Sequence, residues 1–170
     1  HQCVLAQSDV IDAQLRANPS LSFGRYQLEA YPEAFWLIVH DDSGIASVSD
    51  LDPSEHTLLM GGSGAAAAWS NLAYHAAGEW FGNDLYAKFR PETVTREAGL
   101  QQVAGNRNTA MLVVMGMNSD FMATANNTYG DRVKLAAFDD VDVDDLEDRE
   151  GNDIYAFVEV PGGTYPDLQE

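Results

Sequence analysis

Short apolar runs separated by polar, glycine-bearing turns recur along this chain, and from residue 57 onward they alternate with stretches of helical character. The pattern predicts strands at 57–60, 86–90, 109–115 and 133–138, and helices at 65–77, 96–104 and 119–126. Ahead of this alternation lie a short apolar run at 3–6, a brief helix at 10–16 and a long extended segment at 26–39. Within that segment, Phe35-Trp36-Leu37-Ile38-Val39 is continuously apolar, as for a strand buried on both faces, while Tyr31-Pro32 marks a bend or hinge. Residues 47–51 read as one capped helical turn. Residues 154–160 alternate like a strand that ends at Pro161-Gly162-Gly163.

Strands alternating with helices over short links predict an α/β domain, a mainly parallel sheet flanked by helices. Right-handed crossovers then gather the strand-to-helix loops on one sheet edge, where ligands bind. The loop of greatest interest is Gly61-Gly62-Ser63-Gly64, between an apolar strand and the helix former Ala65-Ala66-Ala67-Ala68. There the N–H groups of Gly64 and Ala65, with the Ser63 hydroxyl, face outward at the positive end of a helix dipole and can receive an anionic oxygen. A tight turn that only lets helix and sheet pack closely would use the same glycines.

Charge narrows the partners. The 170 residues carry 27 acidic against 9 basic side chains, a net charge of -18, with Lys88 and Lys134 the only lysines. Such a surface repels nucleic-acid phosphates and anionic lipid alike. One cysteine, Cys3, excludes an internal disulfide framework and a four-cysteine metal site. No apolar run is long enough to span a bilayer. The acidic stretch at 139–150 superficially resembles a calcium loop, but counting from Asp140 puts Asp145 at the sixth position and Gly151 at the twelfth, where that loop needs glycine and glutamate. A solvated short helix and turn is expected there, with no metal. His75 and Glu79, one helical turn apart, lack a third ligand. Trp69, Tyr74 and Trp80 are expected to pack on the sheet.

Other machines fit the glycine-serine turn less well. A phosphate loop needs a lysine that is missing here. A nucleophile elbow at Ser63 needs a late histidine, whereas no histidine follows His75, three turns down the same helix. A Rossmann-like dinucleotide-dependent enzyme remains as an alternative: Gly62-Ser63-Gly64-Ala65-Ala66-Ala67 fits the dinucleotide fingerprint, with Glu92 as the ribose-binding acid.

Three further segments carry a resemblance. Phe35-Trp36-Leu37-Ile38-Val39-His40-Asp41-Asp42-Ser43-Gly44-Ile45-Ala46-Ser47-Val48-Ser49-Asp50-Leu51, then Gly61-Gly62-Ser63-Gly64, then Tyr155 with Val160-Pro161-Gly162-Gly163-Thr164-Tyr165-Pro166 are similar to the TAXI family of TRAP transporter receptors, as is Gln7-Ser8-Asp9. The resemblance implies a type II periplasmic binding protein lobe with two extended hinge strands. It corresponds to the later part of a family member, with most of the first lobe missing. It divides the chain into a first-lobe remnant at 1–30, a second lobe at 31–153 and a returning hinge with tail at 154–170. It implies an exported, periplasmic, non-enzymatic receptor without cofactor, which closes on a small carboxylate-bearing solute and hands it to membrane transporter subunits. Ligand contacts would come from Gln7 and Ser8, from Tyr31 at the hinge, from Gly62, Ser63, Gly64 and Ala65, and from Met115, Gly116 and Met117. A lone lobe that forms a homodimer or binds a partner through the face left by the missing lobe is the remaining alternative.

Overall fold

The computed structural model of the protein describes residues 8–21, 33–76, 85–147 and 151–169, so the expected strand at 3–6, the first part of the segment at 26–39, and Gln7, Tyr31, Glu79 and Trp80 lie outside it. In chain order the elements are α1 (Ser8–Ala17), β1 (Ala34–His40), β2 (Thr57–Gly61), α2 (Ser63–Ala76), α3 (Leu85–Lys88), β3 (Glu92–Val94), α4 (Arg96–Gly105), β4 (Thr109–Met115), α5 (Asp120–Tyr129), β5 (Val133–Ala136) and α6 (Val141–Asp144). A single turn of 3-10 helix at Val48–Asp50 is held by the Asp50 carboxylate, which accepts the Ala46 and Ser47 N–H groups at 2.9 Å each. This is the capped turn expected from the sequence.

The five strands form one sheet in the order β3-β2-β4-β1-β5. It is mixed and only partly parallel as expected: β2 runs parallel to β3 and β4, while β1 lies antiparallel between β4 and β5. The apolar run of β1 suits that central place, since Trp36, Leu37, Ile38 and Val39 are all buried. Leu37 and Val39 face a core made with Leu58, Met60, Leu112 and the inner residues of α2 and α3. Trp36 and Ile38 face a second core with Leu59, Met111, Val113 and the inner residues of α4 and α5. The result is three layers, helix on sheet on helix.

Two expected strands are not formed. Residues 86–90 instead carry α3, because Leu85, Tyr86 and Phe89 close one helical face onto α2, with the Tyr86 ring 4.9 Å and the Phe89 ring 6.0 Å from Trp69. The strand comes later, as the three-residue β3. Residues 154–160 join no ladder among the described residues; Ala156 to Glu159 are exposed, and the nearest pairing is an isolated bridge between Glu147 and Asp153. Alternation there lacks the covering surface that turns β-propensity into a strand. The C-terminal tail does dock: Leu168 is fully buried in the second core, and its carbonyl accepts the Leu135 N–H at 2.9 Å. Tyr74 also departs from expectation, being 59% exposed on α2 and not packed on the sheet.

Candidate functional site

Two adjacent glycines shape the turn after β2, for different reasons. At Gly61 a Cβ would meet Met111 Cε and Val113 Cγ1, so the side chains of β4 fill the space over this glycine and would have to shift for any larger residue. Gly62 has φ +111, a backbone conformation that side chains resist, with open space around it. Its N–H donates to the Met60 carbonyl at 2.9 Å, and its own carbonyl accepts the Ala66 N–H at 3.2 Å as the first bond of α2. The N–H groups of Ser63, Gly64 and Ala65 therefore precede the helix ladder and have no intrahelical acceptor. Ser63 is exposed and Gly64 half-buried, while the Ala65 side chain is buried against the sheet.

A cation joins this turn from the neighbouring loop. Arg96 opens α4 directly after Thr95, whose hydroxyl accepts the Ala98 N–H and caps the helix. Its Nε donates to the Gly61 carbonyl at 3.3 Å, which brings the guanidinium to the start of α2. An arginine fork beside outward N–H groups is suited to planar anions such as carboxylates. No local pattern in the sequence singles out Arg96, whose place at the turn depends on β3 pairing with β2.

Met115, Gly116 and Met117 lie on the same edge, at the end of β4 beside β2. Two of their carbonyls serve the fold: the Trp36 indole N–H donates to the Met115 oxygen at 3.0 Å, and the Tyr165 hydroxyl donates to that of Met117. Ser119 caps α5 by accepting the Met122 N–H at 3.3 Å. The structure thus brings Gly62 to Ala65 and the 115–117 turn to one sheet edge. Ser8 begins α1, which packs along α2.

That edge is also where the chain enters and leaves the sheet. Because β1 is antiparallel, its first residue, Ala34, lies opposite Met115, the last residue of β4. Strand β5 runs the other way and ends toward the same edge, with Ala136 opposite Leu37. Further along, the Tyr155 ring packs 5.1 Å from that of Phe35, so the later segment crosses beside the incoming one.

The competing chemistries meet specific geometry. His75 is twelve residues beyond Ser63, about 18 Å along the helix at 1.5 Å per residue, and faces Arg16 at 3.3 Å. Glu92 is exposed and starts β3, opposite Leu59. Among the described residues, no group of three or more His, Cys, Asp or Glu could hold a metal ion. No helix among them is long and apolar enough to cross a membrane. No protein-family model matches the chain, and no curated protein matches it.

Proposed function

We propose that this chain is an anion-holding lobe of a type II periplasmic receptor resembling the TAXI family, binding a small carboxylate-bearing solute without chemical conversion. The observation that carries the reading is the convergence at one sheet edge of three N–H groups that precede the first bond of α2, at Ser63, Gly64 and Ala65, with the Arg96 guanidinium. The carboxylate would be received by these groups, with the Ser63 hydroxyl as a further donor.

The path of the chain supports the hinged part of the reading. An antiparallel strand set between β4 and β5 enters from the ligand edge, and the Tyr155 segment crosses beside it, as two hinge connections would. Closure over the edge would exclude water from the bound carboxylate, and opening would release it to a transporter. The dinucleotide alternative has its glycines in a strand-turn-helix setting, but Glu92 lies at the start of β3, away from the loop edge where a ribose-binding acid is needed.

Thermal unfolding in the presence of amino acids, dicarboxylates and nucleotides tests this. A small carboxylate should raise the Tm, by an amount equivalent to ~2.7 kcal/mol at a hundredfold excess over Kd. Arg96→Ala should keep the fold and lose that response. Stabilisation by dinucleotides alone would reverse the assignment.

A further inference from the structure

Helix α1 is built the wrong way round for an ordinary surface helix. Its aliphatic residues Val10, Ile11 and Leu15 are only half-buried, whereas Asp9 is 3% and Asp12 6% exposed. Asp9, Asp12 and Arg16 stand at spacings of three and four, one stripe of a helix, and that stripe faces α2.

The stripe meets a complementary set. Arg16 pairs with Asp12, donates to the Asn71 side-chain oxygen, and approaches His75 Nε2 at 3.3 Å. Its guanidinium also covers the Tyr74 ring at 4.3 Å. Asn71 donates to the Tyr155 hydroxyl at 3.2 Å, and that hydroxyl donates to Asp9 at 3.1 Å. His75 Nε2 lies 3.7 Å from Asp12. The chain of contacts therefore links α1, the middle and end of α2, and the Tyr155 segment through polar groups.

We propose that α1 is a releasable latch, docked on α2 and Tyr155 through this network, and that a proton arriving at His75 undocks it. Apolar docking would be permanent over the physiological range, whereas a polar network is specific and holds only while every member keeps its role. The role of His75 is to accept from the Arg16 guanidinium, which requires the Nε2 lone pair. Protonation turns that acceptor into a donor and sets two cations against each other, and the Asp12 carboxylate, 3.7 Å from Nε2 but already paired with Arg16, offsets this only in part.

Burial, then the Arg16 charge, lowers the His75 pKa from its usual 6.5. Docking is therefore supported fully above about pH 6.5, the ordinary imidazole value, and loses that support as pH falls from there through the lower pKa of the docked His75. Burial, outweighing the Tyr155 hydrogen bond, raises the Asp9 pKa, so Asp9 acts in the opposite sense. Among the described residues, the charged and titratable groups meeting the network are Asp9, Asp12 and Arg16 of α1, Tyr74 and His75 of α2, Tyr155, and Glu33, whose charge reaches Asp9. Helix α3, also packed on α2, directs Tyr86 to Asp140 instead.

Hydrogen exchange of the full chain between about pH 8 and about pH 5, corrected for the intrinsic rate at each pH, reads the latch without any ligand. Amides of α1 should be protected at the upper end and lose protection toward the lower end while those of β4 keep theirs; His75→Gln should hold α1 protection flat. NMR titration of the His75 ring in the unsubstituted chain supplies the second measurement, and its midpoint should coincide with the loss of α1 protection. Protection that ignores pH, that falls equally in His75→Gln, or whose midpoint departs from the ring titration would overturn the latch.

Discussion

Gly61 and Gly62 are neighbours under unlike constraints, and substitution separates them. Gly61→Ala drives a methyl into Met111 and Val113 in the core, an overpacking cost of about 1–3 kcal/mol. Gly62→Ala meets no atom but must hold φ +111, a strain of about 1–3 kcal/mol. Denaturant melts should show both losses. Crystal or NMR structures should show displaced Met111 and Val113 side chains only for Gly61→Ala, with the turn itself altered only for Gly62→Ala. Both glycines and Ser63 are legible in the sequence, because an apolar strand running through glycine into an alanine-rich helix has few other readings. Arg96 is not legible in the same way. Its relevance depends on β3 lying beside β2, a pairing that no local pattern announces.

At the scale of elements, legibility follows how much apolar surface each one buries. Strand β4 is buried at every residue, and its bounds are those expected. Strand β3 has three residues, two of them exposed, and so leaves almost no hydrophobic trace. The run from Tyr86 to Arg90 looks strand-like by composition, yet Trp69 draws Tyr86 and Phe89 to one side, and a helix satisfies both. The direction of β1 was equally hidden, since a doubly buried strand reads the same in parallel and antiparallel settings. The tail is a further case. Its Pro-Gly-Gly-Thr-Tyr-Pro composition suggests only loop, but Leu168 fills the second core and the Tyr165 hydroxyl meets Met117. Leu168→Ala should cost about 2–5 kcal/mol, measured by equilibrium denaturation, because no solvent-facing rearrangement refills a site closed on all sides. A loss under about 0.5 kcal/mol, the usual range for surface substitutions, would mean that the tail is not part of the core.

For the whole molecule, the net charge of -18 frames the proposed site. An anionic ligand approaches a repulsive surface overall, so attraction must come from local donors. The turn after β2 offers backbone N–H groups, and the start of α4 adds one arginine. Around this edge the chain enters through β1 and leaves after β5, and α1 and Tyr155 are tied to the flank of α2, the helix that bears the donors. Helix α2 thus presents the proposed backbone donors at one end and the α1 network along its body. In the proposed function Ser63, Gly64 and Ala65 receive a carboxylate. Titrating the 15N-labelled chain with a panel of small mono- and dicarboxylates, while following every backbone amide by NMR, tests it directly. Saturable shifts should concentrate at those three amides and the Arg96 side-chain N–H, and should be lost at the amides in Arg96→Ala. Saturable shifts that leave these amides unmoved, or no saturable shifts with any member of the panel, would contradict it.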